Sequence, residues 1–536
     1  MTTKMFKRLP WLGLTGLLVG LQGCAALDEP AEPGVAAATP TETTTSELGT
    51  PQAIQLGANL AVLGTTEDGY ALYWDAGVVY ATALQPGAAR TRVTRAAAPP
   101  LTMTSGRVAL VWPDQAFFGP LAPSSLVVWT AAGGAHRAAD SSMPPALSAI
   151  AASTAVSPDG REVIFTANVA ADGSTGDIVR ANADLSRATI LVRGALVSPF
   201  SGCPPHVGFD ADRACHGPRW YWHADETDAT LRSRRANAVV ASCDASGAPS
   251  LARWVGGARS ELTTNLGSTV WSTDRFGAHL LTTAGDGSTV AYTRDGASLV
   301  VNPDPSLAWI TPGGAAFTLS RRDPTTVTLQ RTTFGAAVRT ERVMDVGETL
   351  GVMFANHLAQ GAPHYNITPN PMSPDQQFFG GFNTVDPNTG LTNAILVDAG
   401  RRRLRAASAN ANALPSVEIA TRDSSHMLHY QLEPDGTFAM YATARTGGTR
   451  RLSQGATGLE HYGIAGGVVA FSDNFQGNPA DLLSTTDIKL VDLAAGTAPR
   501  VLTRAAHATF FTARRRSVVV YSTEQGRPGL YVTRVR

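Results

Sequence analysis

The segment from residue 156 to residue 192 constrains the fold of this chain more than any other, because tight turns alternate in it with short strand-forming runs. Its first turn is Pro-Asp-Gly at residues 158–160, where Pro presets φ, Asp accepts hydrogen bonds from nearby backbone and Gly tolerates a positive φ. The run 162–165 is β-branched and aromatic, which favours a strand. Two further strand-forming runs, 177–179 and 188–192, follow after polar turns. The segment therefore predicts turn, strand, loop, strand, turn and strand.

The same strand marker recurs along the chain after residue 53, and no long helical pattern interrupts it. Each copy is a short apolar strand beside a polar, Gly-containing turn, and the nine clear copies are residues 78–82, 126–130, 177–179, 238–241, 298–301, 394–397, 438–441, 487–491 and 529–532. A weaker tenth copy lies within 316–344. Similar turns occur at residues 67–69, 285–287, 373–375 and 434–436. An internal repeat of this kind predicts an array of small sheets.

The Ser-Pro-Asp-Gly turn at residues 157–160, with the strands that follow it, resembles the repeat of the TolB-like, WD-repeat-like β-propellers. The resemblance implies an all-β fold, a single β-propeller formed by residues 51–536. One blade cannot bury both of its faces, so several must close into a ring. Because some markers belong to shared or degenerate blades, we predict seven or eight four-stranded blades. We also predict that residues 53–63 complete the blade formed by 517–521 and 529–535, which protects the sheet edge.

The amino terminus has the features of a bacterial lipoprotein signal. Three basic side chains in residues 4–8 precede an apolar run, 9–21, that is too short to span a bilayer comfortably. The run ends in Leu-Gln-Gly-Cys at residues 21–24, which resembles the lipobox. The resemblance implies that residues 1–23 are a lipoprotein signal peptide and that Cys24 is acylated. The alternative is an ordinary signal peptide with a coincidental cysteine.

Residues 24–50 are rich in Ala, Thr, Pro and Glu and contain no Lys or Arg. Such a composition cannot bury enough surface to offset its ordering entropy, so we predict a disordered tether. Its reach as a flexible coil is about 25–30 Å. Ala25 stands where an inner-membrane retention signal would usually carry Asp, which implies the outer membrane, with the protein on its periplasmic or cell-surface side.

The charge balance argues against nucleic acid as a partner. The chain has 43 basic and 43 acidic residues, so it offers no bulk positive charge to a phosphate backbone. Lys489 is the only lysine after residue 7, which we interpret as composition bias toward Arg. The short basic runs 401–403 and 514–516 are interpreted as solvated turns, with an anionic lipid or an acidic partner as the alternative.

Three further cysteines, Cys203, Cys215 and Cys243, lie in the irregular segment 198–247, which we interpret as an insertion into the blade rhythm. In an oxidising compartment a disulfide is the expected state. A bond between Cys203 and Cys215 would close a short loop and staple an insertion with little core of its own. Sequence alone leaves other pairings open, and any one disulfide leaves the third cysteine as a free thiol.

The same segment contains candidate metal ligands, namely Cys203, His206, Cys215, His216 and His223. Their spacing matches no structural zinc pattern, and oxidation competes for the thiols, so we predict neither a metal nor another cofactor. The acidic side chains between residues 210 and 228 lack the twelve-residue calcium loop. Residues 220–222 (Trp-Tyr-Trp) suit either core packing or a platform for sugar or peptide.

The sequence contains none of the common nucleophile, phosphate-loop or dinucleotide motifs, so no catalytic residue is assigned. His426 and His429 lie three positions apart on a predicted strand and should point to opposite faces, which makes them a poor chelate. His357 and His364 lie in a loop without a partner signature. The predicted function is a non-enzymatic, membrane-anchored scaffold that binds a protein or glycan. The alternative is a hydrolase or lyase with a metal and carboxylates at the central channel.

Overall fold

The structure is a computed structural model. It describes residues 50–116, 123–137, 146–147, 154–197, 203, 205–209, 236–267, 271–274, 277–311, 314–323, 326–335, 337–345, 378–385, 392–406, 417–420, 425–433, 437–455, 461–463, 468–477, 483–513 and 518–534. All regular elements in these ranges are β-strands, β1 to β40 in chain order. The predicted all-β class is confirmed.

Strand β1 (Gln52–Leu56) precedes the first blade but belongs to the last one. Blades 1 to 4 are antiparallel sheets whose four main strands follow one another in chain order. Their strands are β2 (Ala61–Thr65), β3 (Tyr70–Asp75), β4 (Val78–Ala83) and β5 (Arg90–Arg95); β6 (Pro100–Ser105), β7 (Val108–Ala116), β9 (Val127–Thr130) and β10 (Gly134–Arg137); β12 (Ala155–Val156), β13 (Glu162–Ala167), β14 (Thr175–Asn182) and β15 (Thr189–Leu196); and β16 (His206–Phe209), β17 (Ala238–Cys243), β18 (Pro249–Val255) and β19 (Ala258–Thr263). The short strands β8 (Pro123–Ser124) and β11 (Ala146–Leu147) extend the sheet of blade 3.

Blades 5, 6 and 7 repeat this arrangement, and a three-stranded set lies between blades 6 and 7. The strands are β20 (Trp271–Thr273), β21 (His279–Thr283), β22 (Thr289–Thr293) and β23 (Ser298–Asn302) in blade 5; β24 (Ser306–Ile310), β25 (Ala315–Asp323), β26 (Thr326–Thr333) and β27 (Arg339–Asp345) in blade 6; β28 (Phe378–Val385), β29 (Thr392–Asp398) and β30 (Arg403–Ala406) in the three-stranded set; and β31 (Val417–Ala420), β32 (His426–Leu432), β33 (Phe438–Ala444) and β34 (Thr449–Arg451) in blade 7.

The last strands form one seven-stranded sheet. It contains β35 (His461–Gly463), β36 (Val468–Gln476), β37 (Thr485–Asp492), β38 (Arg500–Ala513), β39 (Val518–Thr523), β40 (Gly529–Arg534) and β1. Strand β38 is 14 residues long, and its first part pairs with β37 whereas its last part pairs with β39. It therefore joins the three strands β35–β37 to blade 8, which consists of β38, β39, β40 and β1.

The ends of the described chain meet in blade 8, as predicted. Strand β1 pairs antiparallel with β40, with Gln52 opposite Val532 and Leu56 opposite Gly529. The strand β2 that follows lies beside β38 and β6, so the chain returns to the centre of the ring. This pairing covers the outer edge of β40, which would otherwise expose unpaired backbone groups.

The propeller with eight four-stranded blades is confirmed, and the markers explain the rest of the strand pattern. Each of the ten marked segments lies in a different strand set. Two of the markers, residues 394–397 and 487–491, fall on β29 and β37 of the three-strand sets. The prediction allowed for shared or degenerate blades without naming them, and the structure identifies them as these two sets, which fall short of four strands of their own.

The hydrophobic core lies between neighbouring blades. One cluster packs blade 1 against blade 2, a second packs blade 2 against blade 3, and a third packs blade 3 against blade 4. Because both sheet faces are covered, strands such as β39 are buried along their whole length. Large buried side chains that fill these joints include Trp112, Trp129, Phe165 and Trp254.

The Ser-Pro-Asp-Gly turn holds its shape through side-chain bonds to its own backbone. The Ser157 hydroxyl donates to Asp159 Oδ1 at 2.6 Å, and it accepts the Glu162 N–H at 2.9 Å. Gly160 has φ 70°, which favours glycine. The predicted turn at residues 67–69 repeats this geometry, with the Thr66 hydroxyl donating to Asp68. The turns at 373–375 and 434–436 lie outside the described residues.

Candidate functional site

Cys203 forms a disulfide with Cys243, with their Cα atoms 6.0 Å apart. The expected Cys203–Cys215 bond is therefore wrong. The reason is strand register, because His206 at the start of β16 pairs with Ala241 near the end of β17. That pairing brings the chain before β16 alongside the end of β17, although 40 residues separate the two cysteines. Cys215 lies outside the described residues.

The segment 198–247 takes part in the repeat instead of standing apart from it. It supplies β16 and β17, which are the first two strands of blade 4. Residues 210–235, which connect these strands, lie outside the described residues, and so do Trp220, Tyr221 and Trp222. The disulfide therefore links the chain just before β16 to the last residue of β17, within one blade.

His206 acts in the joint between blades 4 and 5. Its Nδ1 accepts the backbone N–H of Trp271 at 3.1 Å, and its carbonyl accepts the indole N–H at 3.1 Å. The lone pair of His206 Nδ1 and the Cys203 sulfur are therefore both engaged in structural bonds. The remaining candidate ligands lie outside the described residues: Cys215, His216 and His223. Within the part of the chain that the structure describes, no three His, Cys, Asp or Glu side chains are grouped to hold a metal ion.

Lys489 forms a buried ion pair with Asp473. The side chains are 7% and 0% exposed, and Lys489 Nζ donates to Asp473 Oδ2 at 2.6 Å. The Asp473 carboxylate also accepts the backbone N–H groups of Gln454, Gly455 and Asn474. Because Gln454 and Gly455 directly follow blade 7, this cluster ties blade 7 to the strand set β35–β37.

Asp398 forms a second buried pair, with Arg445 in the turn between β33 and β34. Arg445 donates from Nε and Nη2 to the two carboxylate oxygens, both at 2.8 Å, which is a bidentate arrangement. Burial opposes ionisation of Asp398, but the bonds from Arg445 and from the Arg401 N–H outweigh it, so the pKa of Asp398 lies below its usual value. This pair ties blade 7 to β28–β30. Blade 7 is therefore held by a buried carboxylate on each side.

His507 lies at the junction between the strand set β35–β37 and blade 8. Its ring is 2% exposed, with Nδ1 3.1 Å from the Leu483 carbonyl and Nε2 3.3 Å from Glu524 Oε1. The Asn59 N–H donates to the same Glu524 oxygen at 2.5 Å. The cluster joins the chain before β2 to the turns of the closing sheet, so it is a structural contact at ring closure.

The propeller has two faces, which the strand order defines. At one face the first strand of each blade turns into the second and the third into the fourth; it includes turns 66–69, 157–160 and 445–448. Because Gln52 pairs with Val532 near the end of β40, the chain before β1 leaves at this face, which we call the tether face. The opposite face carries the turns between the second and third strands.

Three successive blades carry the same Asp-x-Ser turn on the opposite face. The carboxylates of Asp172, Asp244 and Asp286 accept hydrogen bonds from the serines two residues later. At Asp172 the Ser174 N–H contributes most, whereas at Asp244 and Asp286 the serine hydroxyl does, and these bonds lower the pKa of all three carboxyls. All three residues are exposed. The opposite face therefore presents ionised acidic tips in blades 3, 4 and 5.

The structure describes some of the remaining candidate residues from the sequence, and others lie outside the described ranges. His426 and His429 lie on β32, where His429 is buried and His426 is half-buried and contacts Ser425. Their opposite orientation follows from this strand. Residues 401–403 lie at a blade turn, as predicted. Other candidates lie outside the described residues: Cys24, His357, His364 and residues 514–516.

Sequence reasoning missed the buried pairs, although Lys489 left a signal. It is the only lysine after residue 7, and it interrupts the apolar run 488–491 (Ile-Lys-Leu-Val). A cation inside such a strand needs a buried anion, so the pattern pointed to an ion pair. Asp398 gave no comparable signal, because an Asp that ends a strand before a Gly turn is common.

Comparisons with known proteins add similarity in fold. No protein-family model matches the chain, and no curated protein matches it. Similar solved structures include dipeptidyl peptidase 4 of Porphyromonas gingivalis, with 9% identity, 78% of this chain and 65% of that chain covered, and a TM-score of 0.42. A TolB protein of Agrobacterium tumefaciens has 13% identity, 56% and 91% coverage, and a TM-score of 0.23. A manganese complex of oligogalacturonate lyase has 10% identity, 70% and 97% coverage, and a TM-score of 0.30.

No helix in the described ranges is long and apolar enough to cross a membrane. The predicted signal peptide, residues 1–23, and the predicted tether, residues 24–50, lie outside these ranges except for residue 50.

Proposed function

We propose that this protein is an outer-membrane lipoprotein whose propeller binds a protein or glycan partner through the face opposite the tether. One topological observation carries the proposal. Strand β1 is the outermost strand of blade 8, and its first residue, Gln52, lies at the tether face. A chain anchored at Cys24 therefore approaches the propeller from one face and leaves the other face free for a partner.

Two further observations support this function. The Cys203–Cys243 disulfide suits an oxidising compartment, such as the space beyond the inner membrane. The opposite face carries the exposed tips Asp172, Asp244 and Asp286, spaced over three consecutive blades. Loops on a rigid scaffold are a common location for binding residues. The partner's recognition would rest on these loops, with the ring of blades as support.

Site-specific photocrosslinking in intact cells tests the proposal. Benzoylphenylalanine replaces exposed alanines of the opposite face, Ala171 and Ala245, and matched alanines of the tether-face turns, Ala89 and Ala132. We expect a discrete crosslinked product from the two opposite-face positions alone. Equal products from both faces, or none from either, would contradict the proposed binding face.

The alternative function is a hydrolase or lyase at the central channel, and an activity assay on the same protein distinguishes it from binding. Catalysis requires His and acidic side chains to converge at one channel mouth with shifted pKa values. Nothing in the described residues favours this alternative over binding. Turnover of a small substrate by the purified lipoprotein, without any crosslinked partner, would reverse the order of the two functions.

A further inference from the structure

The tether face carries a group of arginines that is distinct from the acidic tips of the opposite face. They lie in three neighbouring turns, which connect β29 to β30, β33 to β34 and β37 to β38, or in the first two residues of the strands that follow them. The turns touch one another, because Arg401 Nη1 donates to the Arg445 carbonyl at 3.5 Å and Arg450 Nη1 donates to the Gly496 carbonyl at 3.3 Å. This group, the arginine patch, consists of Arg401, Arg402, Arg403, Arg445, Arg450 and Arg500.

The acidic side chains described in these turns do not balance the patch. Asp398 is buried and is occupied by the bidentate bond from Arg445. Asp492 accepts the Ala495 N–H within its own turn. Arg401 remains 47% exposed along its side chain, and Arg402 and Arg403 are exposed. The patch therefore carries a net positive charge in a chain whose overall charge is zero.

Two details concern the geometry of the patch. Arg450 donates from Nη1 to the Gly496 carbonyl and its Nη2 is buried, so Arg450 contributes charge, while the exposed guanidinium groups of the run 401–403 are the ones that a headgroup can contact. Arg402 has φ 53°, a conformation that glycine would adopt more readily. The turn thus holds a charged side chain in a conformation that opposes a non-glycine residue, and such strain is typical of functional positions. Guanidinium groups suit phosphate, because they donate in a planar, bidentate fork.

The position of the patch identifies the occupant. It lies on the tether face, in the three strand sets that precede blade 8 along the ring, and the tether itself leaves from blade 8. A membrane that holds the anchor is therefore on the same side as the patch. We propose that the arginine patch binds the anionic phosphate headgroups of that membrane and lays the tether face of the propeller on the lipid surface. The proposal rests on the proposed anchor for its setting, and the patch itself is testable without it.

Electrostatic attraction adds about fivefold in affinity (about 1 kcal/mol) for each arginine near an anionic surface to the binding that the acyl chains supply. Docking of the tether face would also keep the opposite face turned outward. The patch would in this way restrict the orientations that a long flexible tether allows.

Vesicle binding by the full chain carrying Cys24→Ser tests the patch without any acyl group. Binding to vesicles of phosphatidylglycerol and phosphatidylcholine is compared with binding to phosphatidylcholine alone. The leader, whose residues 4–8 carry three basic side chains, is the same in every variant, so its own preference for anionic lipid cancels when the arginine variants are compared. We expect preference for the anionic vesicles, and its loss when salt rises from about 0.1 M to about 1 M, where screening shortens to about 3 Å.

The decisive variants remove three arginines each. Arg401→Ala, Arg402→Ala and Arg450→Ala together should weaken anionic-vesicle binding by roughly a hundredfold, at about fivefold for each arginine. The control triple, Arg92→Ala, Arg193→Ala and Arg259→Ala, removes equal charge from exposed outer-strand positions. Retention of the circular dichroism spectrum and the thermal midpoint shows that both triples remain folded.

Equal losses in the two triples, or no preference for anionic vesicles in the Cys24→Ser chain, would overturn the proposal. An unacylated Cys24 in the natural host would refute the anchor and leave the vesicle result unchanged. The two failures are therefore distinguishable.

Discussion

The joint between blades 1 and 2 and the joints around blade 7 are built from different interactions. Between blades 1 and 2 the contact is an apolar cluster in which Trp129 is 2% exposed and Leu72 and Val111 are fully buried. Blade 7 also has an apolar cluster on one side. In addition, a buried carboxylate fixes blade 7 to its neighbour on each side. Asp398 joins it to the set β28–β30, and Asp473 joins it to the set β35–β37.

The difference shows that one ring can combine apolar joints, which do not require one exact geometry, with ion-paired joints, which do. Apolar contacts are non-directional and depend on the area removed from water. A buried ion pair loses hydration, and its attraction offsets that loss only when the geometry is good. Blade 7 adjoins the two three-strand sets, where the repeat is incomplete. We infer that the ion pairs define the position of blade 7 where sheet packing alone specifies it less.

Truncation in the apolar joint should have the largest effect. Trp129→Ala removes a buried indole between blades 1 and 2 and should lower the free energy of unfolding by about 3–5 kcal/mol. Trp129→Phe keeps most of the apolar volume and should cost less. Urea unfolding of the two variants measures the difference, and equal losses would show that packing volume does not govern this joint.

Loss of the buried lysine should have the next largest effect. Lys489→Met leaves the Asp473 carboxylate buried without its cation and should cost about 3 kcal/mol. The double variant Lys489→Met/Asp473→Leu should recover part of that loss, although three backbone N–H groups then lose their acceptor. A single variant as stable as the natural protein would disprove the role of this pair.

Asp398→Asn should weaken the other joint in a pH-dependent way, by about 2 kcal/mol at neutral pH. The folded pKa of Asp398 lies below the unfolded value of 3.8. Its stabilisation is therefore complete above pH 3.8 and is lost as the pH falls through the folded pKa. The stability gap between the natural protein and the variant should close in acid. A gap that stays constant from pH 6 down to about pH 3 would contradict this sign.

A surface pair provides the smallest effect and the reference for the others. Arg180 and Glu162 form an ion pair at 2.6 Å on blade 3, with side chains 22% and 28% exposed. Arg180→Ala should cost less than about 1 kcal/mol, and added salt should reduce that cost further. If it matched the loss in Lys489→Met, burial would not distinguish the two pairs.

The fold was predictable from sequence where local chemistry repeats. The turns at 157–160 and 67–69 and the closure by residues near 53 follow from turn residues, strand-forming runs and the cost of an open edge. The shared strand β38 was not predictable, because residues 500–513 contain both polar and apolar stretches without a strand period that marks two blades. A single strand that serves two blades depends on the position of the sheets around it.

The functional residues were less predictable, since their contacts join distant parts of the chain. Cys203 meets Cys243 through strand register, whereas loop length favoured Cys215. Asp398 and Arg445 lie in separate strand sets, and neither has a local motif. The position of the arginine patch likewise depends on neighbouring turns. From the run 401–403 alone a solvated turn was the preferred interpretation, and an anionic lipid or an acidic partner was the alternative.

The measurement that tests the account most directly is the mass of the amino-terminal peptide of the protein isolated from its natural host. The account predicts a chain that begins at Cys24 and carries acyl groups on that residue. A mature chain that begins elsewhere, or an unmodified Cys24, would contradict a propeller held at the membrane by its tether face.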